Sequence, residues 1–503
     1  MNIFTVAPIF SDYMILQRDT TVRVWGTGTD GDRIEVKVGT SVSQATVRDN
    51  RWTCSIAPQR AGTTGFLTVS NGSMQLSFHD VLFGDVWLAG GQSNMELELQ
   101  HCLNGSAELA DSAHPSIRFY QVLKRSFVDD AFEVEEKKNR WQVCGPETAA
   151  QLSAVAYFFA RNINAETGIP IGIINCNWGG TSISAWMSEQ KLAKTVAGQQ
   201  YLDEYAKLVG DKTDEQYDQE IEAYFNDWRA WDERVQTCRT HDPAVSWEVL
   251  NAVCGECPWP QPAGKKSPYR PANLYHAMIR RVAPFSLKGF LYYQGEEDWN
   301  RANDYGEMLR DLIDQWRTDW ADDSLPFLFV QLPMYASHAD VEAGLEKDES
   351  WQILRENQYK VSRTVANTGL AVIIDCGEFD NIHPLDKQTV GFRLALHALK
   401  KVYGYDCEAD GPIFRRFERE AGAIRLYFDH AIGGLEARGV LKSFEVAGAD
   451  GILHPAHARI ERNTVILTSP DVQEPEHARY AWIKYGPTPL YGKNGIPAMP
   501  FRT

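Results

Sequence analysis

The feature that most constrains the fold is a set of five apolar runs in the middle of the chain. Between them lie segments in which apolar residues recur at helical spacing, such as "AAQLSAVAYFFARNINAET" and "YGEMLRDLIDQWRTDW". Apolar runs of this length suit parallel strands that are covered by helices on both faces. Residues 81–405 are therefore predicted to form an α/β domain. The five runs are "VLFGDVWLAG", "IGIINCNW", "LKGFLYYQG", "LPFLFVQLP" and "GLAVIIDCG".

Both ends of the chain have a different pattern. Within residues 1–80 and 406–503, short segments of alternating apolar residues are broken by Gly, Asp and Asn. This pattern predicts a β-sandwich domain at each end. A highly charged, helix-prone stretch predicts a helical insertion at about residues 190–285 of the α/β domain.

Charge and hydropathy exclude several classes of partner. A formal net charge of −17 argues against nucleic acids and anionic membranes. No apolar stretch approaches the roughly 18–20 residues of a membrane span, so no membrane insertion is predicted. The start "MNIFTVAPIFSDYM" lacks the features of a signal peptide. The protein is thus expected to be cytoplasmic, or secreted or periplasmic if a leader has been removed.

The nine cysteines include one close pair, Cys254 and Cys257. Without a second such pair nearby, a zinc site is not expected, and either a local disulfide or two free thiols are predicted. The sequence leaves the oligomeric state open, and a homo-oligomer is compatible with it.

Reactive side chains follow four of the predicted strands. Ligands bind at the carboxyl ends of strands in open α/β sheets, so these positions are candidate site residues. An Asp three residues before a His can accept its Nδ1–H and leave Nε2 as a general base for a serine. The sequence has two such pairs. Asp380 and His383 follow a predicted strand, whereas Asp111 and His114 follow none, and this difference favours Asp380 and His383. The candidates are Ser93 after Gly90-Gly91, a backbone N–H at Gly179 or Gly180, Gln294 with the acids that follow it, and Asp380 with His383.

Four sequence blocks carry a resemblance to a known family. In chain order they are "GQSNM" around Ser93, "GGTSISAW" from Gly179, "YYQGEED" from Tyr292 and "DNIHP" from Asp380. Together they resemble the SGNH hydrolase superfamily and, in detail, its sialate O-acetylesterase branch. The resemblance implies a flavodoxin-like three-layer α/β/α domain with flanking β-sandwich domains. It also implies removal of O-acetyl groups from sugars such as sialic acid, without a metal or other cofactor.

The resemblance also implies the roles of individual residues. Ser93 would be the nucleophile, His383 the base and Asp380 the residue that orients the base. The oxyanion would be bound by the N–H of Ser93, by an N–H at Gly179 or Gly180, and by one side-chain amide. The superfamily places an Asn where this chain has Glu297, and an ionised carboxylate cannot donate a hydrogen bond. The amide is therefore assigned to Gln294.

Further residues are expected to contact the sugar. Arg270 would suit the carboxylate of a sialic acid through a bidentate pairing, or it braces a loop. The candidates are Asn94, Glu296, Trp178, Arg270 and Tyr275, with Trp186 and Trp299 as additional aromatic residues.

Two alternatives remain open at this point. The same chemistry could act on acetylated xylan or another polysaccharide. A non-catalytic protein that binds glycans through its β domains is the more distant alternative.

Overall fold

A computed structural model describes residues 4–345 and 348–503 of the chain. The chain divides into two compact units. The first contains the residues up to Val245 together with Leu250–Glu297 and Glu307–Phe327. The second contains Ser246–Val249, Asp298–Gly306 and Leu328–Thr503.

The first unit begins with short strands that pair antiparallel. Strands β1, β3 and β6 form one sheet, while β4 pairs with β5 and β7, and β7 pairs with β8. Alternate residues of β6 are buried, as expected for strands with one face on a core. The strands are β1 (Thr5–Val6), β2 (Ile15–Gln17), β3 (Val22–Thr27), β4 (Arg33–Val38), β5 (Ser41–Thr46), β6 (Arg51–Ile56), β7 (Thr64–Ser70) and β8 (Gln75–Gly91).

Strand β8 is the centre of the first unit. Its first part pairs antiparallel with β7, and its last residues run parallel to neighbours on both sides. The change of sequence pattern near residue 80 thus occurs inside one continuous strand.

The parallel sheet places three strand ends together. Its order in this unit is β10-β9-β11-β8-β12, with β10 antiparallel at the edge. Asn177 at the end of β11 and Tyr293 at the end of β12 are both aligned with Gly91 of β8. Because the chain continues from β8 to strands on either side, the end of β8 is a topological switch point, where ligands bind in such sheets. The further strands are β9 (His114–Gln121), β10 (Trp141–Cys144), β11 (Ile171–Asn177) and β12 (Gly289–Tyr293).

The helices between the strands include a long charged pair. The highly charged, helix-prone stretch of the insertion forms two helices, α6 and α7, which are separated after Gly210 (φ +55°). A capping box of Thr213 and Gln216 starts α7. The helices are α1 (Ser93–Glu96), α2 (Gly105–Ala110), α3 (Asp130–Glu136), α4 (Ala154–Thr167), α5 (Glu189–Leu192), α6 (Val196–Val209), α7 (Asp214–His241), α8 (Trp247–Cys254), α9 (Arg280–Val282) and α10 (Tyr305–Trp320).

The second unit combines two strands and three helices with a β-rich end. Strand β13 (Phe327–Val330) is hydrogen-bonded to β14 (Thr368–Ala371). Helices α11 (His338–Glu342) and α12 (Ser350–Thr364) lie between these strands in the chain, and α13 (Lys387–Lys401) follows β14. The remaining strands form sheets of order β15-β16-β21-β20, β17-β23 and β19-β18-β22-β24. They are β15 (Ile413–Glu420), β16 (Ala423–Asp429), β17 (Leu435–Ala437), β18 (Phe444–Ala447), β19 (Leu453–Pro455), β20 (His457–Glu461), β21 (Thr464–Thr468), β22 (His477–Tyr480), β23 (Leu490–Gly492) and β24 (Phe501–Arg502).

The whole is a mixed α/β protein with several sheets. Within the described ranges, no helix has both the length and the apolar character needed to cross a membrane. All nine cysteines are free thiols. The sulfur of Cys254 lies 3.3 Å from that of Cys238, on α7, so its sulfur neighbour comes from another helix rather than from the adjacent Cys-x-x-Cys segment.

Candidate active site

The turn after β8 requires its glycines. Gly91 has φ +137°, and a Cβ at this position would lie 2.1 Å from the carbonyl oxygen of Tyr293. A Cβ on Gly90 would lie 2.8 Å from the ring of Trp316. Only glycine permits so close an approach of two strand ends. The tight turn places Ser93, which is half-buried, at the first position of α1.

Gln92 ties this turn to the end of β12. Its N–H donates to the carbonyl oxygen of Tyr293 at 3.1 Å. Its side-chain oxygen accepts from the amide of Gln294 (3.1 Å) and from the backbone N–H groups of Gly295 (3.3 Å) and Glu297 (3.2 Å). Sequence reasoning missed Gln92, although it lies inside the "GQSNM" block. Its position directly before the serine was the available signal.

The glycines after β11 lie against the serine. Trp178, which is half-buried, donates its N–H to the carbonyl oxygen of Gly91 at 3.1 Å. A Cβ on Gly179 would lie 3.2 Å from the Cβ of Ser93. Gly180 has φ +69°, and a Cβ there would lie 2.7 Å from the indole nitrogen of Trp259. A side chain at either position would crowd the serine or the indole.

The backbone donors at this point differ in availability. The N–H of Gly179 donates to the Glu96 carboxylate at 2.5 Å, and the other oxygen of Glu96 pairs with Lys124. Among the described residues, the N–H of Ser93, its hydroxyl and the N–H of Gly180 have no hydrogen-bond partner. The open donors are therefore those of Ser93 and Gly180.

Gln294 is buried and engaged. Only 1% of its surface is exposed, and its amide nitrogen donates to Gln92 and, at 3.2 Å, to the carbonyl oxygen of Thr181. Asn94 and Glu296 are also buried, and the Asn94 amide donates to a Glu296 carboxylate oxygen at 2.6 Å. These two predicted sugar contacts thus bond to each other and connect α1 to the segment after β12.

Two predicted sugar contacts, Tyr275 and Arg270, have partners within the protein. Tyr275 is 6% exposed, and its hydroxyl donates to Asp319 at 3.0 Å. Arg270 donates to the side-chain oxygen of Asn273 at 3.2 Å and lies 3.9 Å from Glu189. It also lines a cavity of about 280 Å³ beside α6. Trp186 is fully buried, which removes it as a candidate for direct sugar contact, whereas Trp299 is 41% exposed.

Asp380 and His383 lie on a loop of the second unit. Asp380 has φ +60°, and its carboxylate accepts from the backbone N–H of His338 (2.9 Å) and pairs with the His338 ring nitrogen Nδ1 (2.8 Å). These hydrogen bonds hold the pKa of Asp380 below its usual value. His383 donates its N–H to the side-chain oxygen of Asn381 at 3.1 Å. The histidine that pairs with Asp380 in the structure is thus His338, which the sequence analysis did not single out.

The second Asp-x-x-His copy lies elsewhere. His114 is the first residue of β9, a strand that sequence reasoning did not predict. Its Nε2 is 3.4 Å from the hydroxyl of Tyr157. It therefore lies at the amino end of a parallel strand, opposite the edge where β8, β11 and β12 end.

Comparison with known proteins shows the family to which the chain belongs. The family model for carbohydrate esterases described as sialic acid-specific acetylesterase matches residues 83–228 and 253–398. Sialate O-acetylesterase of Mus musculus is 30% identical over 467 residues, which cover 85% of this chain and 80% of the relative. The Rattus norvegicus enzyme of the same name is 27% identical over 542 residues, covering 99% of this chain and 94% of the relative.

A solved structure is similar over its full length. It is the crystal structure of a carbohydrate acetylesterase from Xanthomonas citri, with a TM-score of 0.77, 31% identity and coverage of 99% of both chains. The family model matches more than half of the 503 residues. The protein is therefore an esterase, and it belongs to the sialic acid-specific acetylesterase family of carbohydrate esterases.

Proposed function

We propose that this esterase releases acetate from O-acetylated sialic acid through an acyl-enzyme on Ser93. The observation that carries the proposal is the half-buried Ser93 at the switch point of the sheet, with its hydroxyl and N–H unengaged beside the unengaged N–H of Gly180. Among the described residues, no group forms a hydrogen bond with the Ser93 hydroxyl, the Ser93 N–H or the Gly180 N–H. A serine with open backbone donors is what acyl transfer requires.

The proposed reaction has two steps. Ser93 Oγ attacks the acetyl carbonyl carbon while His383 takes the Oγ proton. The bond to the sugar oxygen then breaks, and His383 returns the proton to that oxygen. Next, a water gives a proton to His383 and attacks the acetyl-enzyme. The bond between the acetyl carbon and Ser93 Oγ then breaks, acetate leaves, and His383 returns the proton to Oγ. His383 is assigned by its motif, with Asp380 as the residue that orients it.

The oxyanion is proposed to bind to the N–H groups of Ser93 and Gly180. The Gly179 N–H is not proposed as an oxyanion donor, because it already donates to the Glu96 carboxylate. The charge of Glu96 is balanced by Lys124. Gly179 then has a steric function, since its lack of a side chain leaves room beside Ser93. Gln294 is proposed as the third donor, at the cost of its bond to Gln92 or Thr181.

The remaining parts of the proposal concern fold and substrate. The mixed α/β architecture is proposed to be a flavodoxin-like SGNH hydrolase domain with β-sandwich domains at both ends, over 1–80, 81–405 and 406–503. Trp178 and Trp299 are the predicted aromatic residues that keep exposed surface, and we propose that they contact sugar. Arg270 remains proposed for the sialic acid carboxylate.

A substrate panel tests the proposed function. We expect the purified protein to hydrolyse p-nitrophenyl acetate and to release acetate faster from 9-O-acetylated sialic acid than from acetylated xylan. Acetate is measured by a coupled enzymatic assay at equal ester concentrations. Faster release from xylan would contradict the substrate, and no release from any ester would contradict the mechanism.

Gln294→Ala tests the third oxyanion donor. We expect kcat to fall by about 10²–10³ with little change in KM, because an oxyanion donor acts in the transition state. The control is Gln92→Ala, which removes the acceptor shared by Gln294 and the two backbone N–H groups but leaves the Gln294 amide in place. If Gln294 only braces the turn, both variants will lose similar stability in thermal melts and similar activity.

A further inference from the structure

Helix α7 braces the segment of residues 254–259, which begins at the last residue of α8. Three side chains of α7 donate hydrogen bonds to backbone carbonyl oxygens of this segment. They are spaced seven and three residues apart along the helix, so they lie on one of its faces. The bonds run from Tyr224 to Pro258 (2.9 Å), from Trp231 to Gly255 (2.6 Å) and from Arg234 to Cys254 (2.9 Å).

Two cysteine sulfurs meet on the same face of α7. Cys238 lies one helical turn after Arg234, and its sulfur is 3.3 Å from that of Cys254. A disulfide bond is about 2.05 Å long, so the two sulfurs need to approach by only about 1 Å to form one. Cys257 is nearer to Cys254 in the sequence, but its thiol donates to the carbonyl oxygen of Pro258 at 3.7 Å. The tertiary structure therefore makes Cys238 the thiol partner of Cys254.

The braced segment ends beside the candidate active site. Its last residue, Trp259, is 50% exposed and meets the ring of Tyr269 edge to face, with 5.9 Å between centroids. A Cβ on Gly180 would lie 2.7 Å from the indole nitrogen of Trp259. All of these residues belong to the first unit. A contact that fixes the segment to α7 therefore also fixes an aromatic side chain next to Gly180.

We propose that Cys238 and Cys254 form a modification site, at which a small disulfide of the oxidised glutathione class converts the two thiols into an intramolecular disulfide. Cys238 is half-buried whereas Cys254 is 4% exposed, so Cys238 reacts first. Its thiolate attacks one sulfur of the reagent, the S–S bond of the reagent breaks, and one glutathione leaves.

The second step closes the bond within the protein. The Cys254 thiolate attacks the Cys238 sulfur of the mixed disulfide, and the second glutathione leaves as the new S–S bond forms. The two cysteines are thereby oxidised and lose two protons. Oxidised glutathione is reduced to two thiols, which take up those protons.

The new bond joins α7 covalently to the segment that leads to Trp259. A cross-link of this kind stabilises a protein mainly by restricting the unfolded chain. The oxidised protein is therefore expected to have a higher Tm than the reduced protein. Cys238 lies outside both ranges that the family model matches. Bond formation involves only the two thiols and is independent of the proposed esterase reaction.

Peptide mapping of the full chain tests the bond. The protein is incubated with oxidised glutathione, its remaining thiols are alkylated, and it is digested with trypsin without reduction. Cys238 lies in the tryptic peptide "VQTCR", whereas Cys254 and Cys257 share the peptide of residues 240–265. We expect the two peptides to be joined, with a mass about 2 Da below their sum because two hydrogens are lost. A disulfide within residues 240–265, with Cys238 alkylated, would overturn the proposal.

The matched control is Cys257→Ser, which removes the other thiol of the Cys-x-x-Cys segment. It is expected to keep the link to "VQTCR", whereas Cys238→Ser loses it. The Tm of the wild type is expected to rise on oxidation, and that of Cys238→Ser to stay the same. Loss of the link in Cys257→Ser, or a rise of the wild-type size in Cys238→Ser, contradicts the proposal. The wild-type map needs no substitution, so it remains a test if a variant does not fold.

Discussion

Ser93→Ala is expected to lower kcat for acetate release by about 10⁴–10⁶, because removal of a serine nucleophile abolishes the acyl-enzyme route. The hydroxyl has no hydrogen-bond partner among the described residues, so its loss breaks no bond of the fold. The Ser93 N–H and the neighbouring Gly180 N–H are retained. Thermal stability should therefore stay close to that of the wild type while activity disappears.

The measurement compares acetate release and covalent labelling. A fluorophosphonate should modify the wild type once, at Ser93, as located by peptide mass spectrometry, and should not modify Ser93→Ala. Ser73→Ala is the control, since Ser73 is exposed in the turn between β7 and β8. A label on another residue, or retention of more than a tenth of the activity in Ser93→Ala, would refute the assignment.

His383→Ala has the second largest expected effect, a loss of about 10⁴–10⁶ in kcat, because the serine cannot be deprotonated efficiently without its base. Added imidazole is expected to restore part of the activity by entering the space left by the ring. The assay is single-turnover acetate release with and without imidazole.

His338→Gln is the matched control for His383→Ala. His338 is the histidine whose ring pairs with Asp380, and its side chain is 73% exposed. If His383 is the base, His338→Gln should cost far less than His383→Ala. The opposite order would transfer the role of base to His338 and leave Asp380 as its orienting residue.

The parallel strands at the centre of the first unit were predictable because their apolar runs are continuous. Runs at 81–90, 171–178 and 287–295 correspond to the end of β8, to β11 and to β12. A fully buried strand needs apolar residues on both faces, and few other local structures use such a run. The helix expected over "YGEMLRDLIDQWRTDW" is α10, with the same bounds.

Other elements escaped prediction for physical reasons. Strand β9, "HPSIRFYQ", mixes Pro and Arg with apolar residues, so it lacks a continuous apolar run. The side chain of its Arg118 donates hydrogen bonds to the backbone oxygens of Tyr13 and Asp80, which are far away in the sequence. The run "GLAVIIDCG" is a strand only to Ala371. The carbonyl oxygen of Val372 accepts from the side chain of Arg393. A side chain thus donates the hydrogen bond that a neighbouring strand would otherwise donate, and no local sequence pattern predicts this.

The sequence by itself determined the turn at Gly90-Gly91, the position of Ser93 after a buried strand, and the order of the four blocks that identify the family. These depend on local backbone sterics and on short-range patterns, which any reader of the chain can see. Only the tertiary structure decided that Gln92 holds Gln294, 202 residues away. It also decided that Gly180 rather than Gly179 has an open N–H, and that Asp380 is paired with His338. These hydrogen bonds depend on which buried polar groups come together when the chain folds. A hydrogen bond between residues far apart in the sequence produces no periodic pattern, so the sequence alone does not predict it.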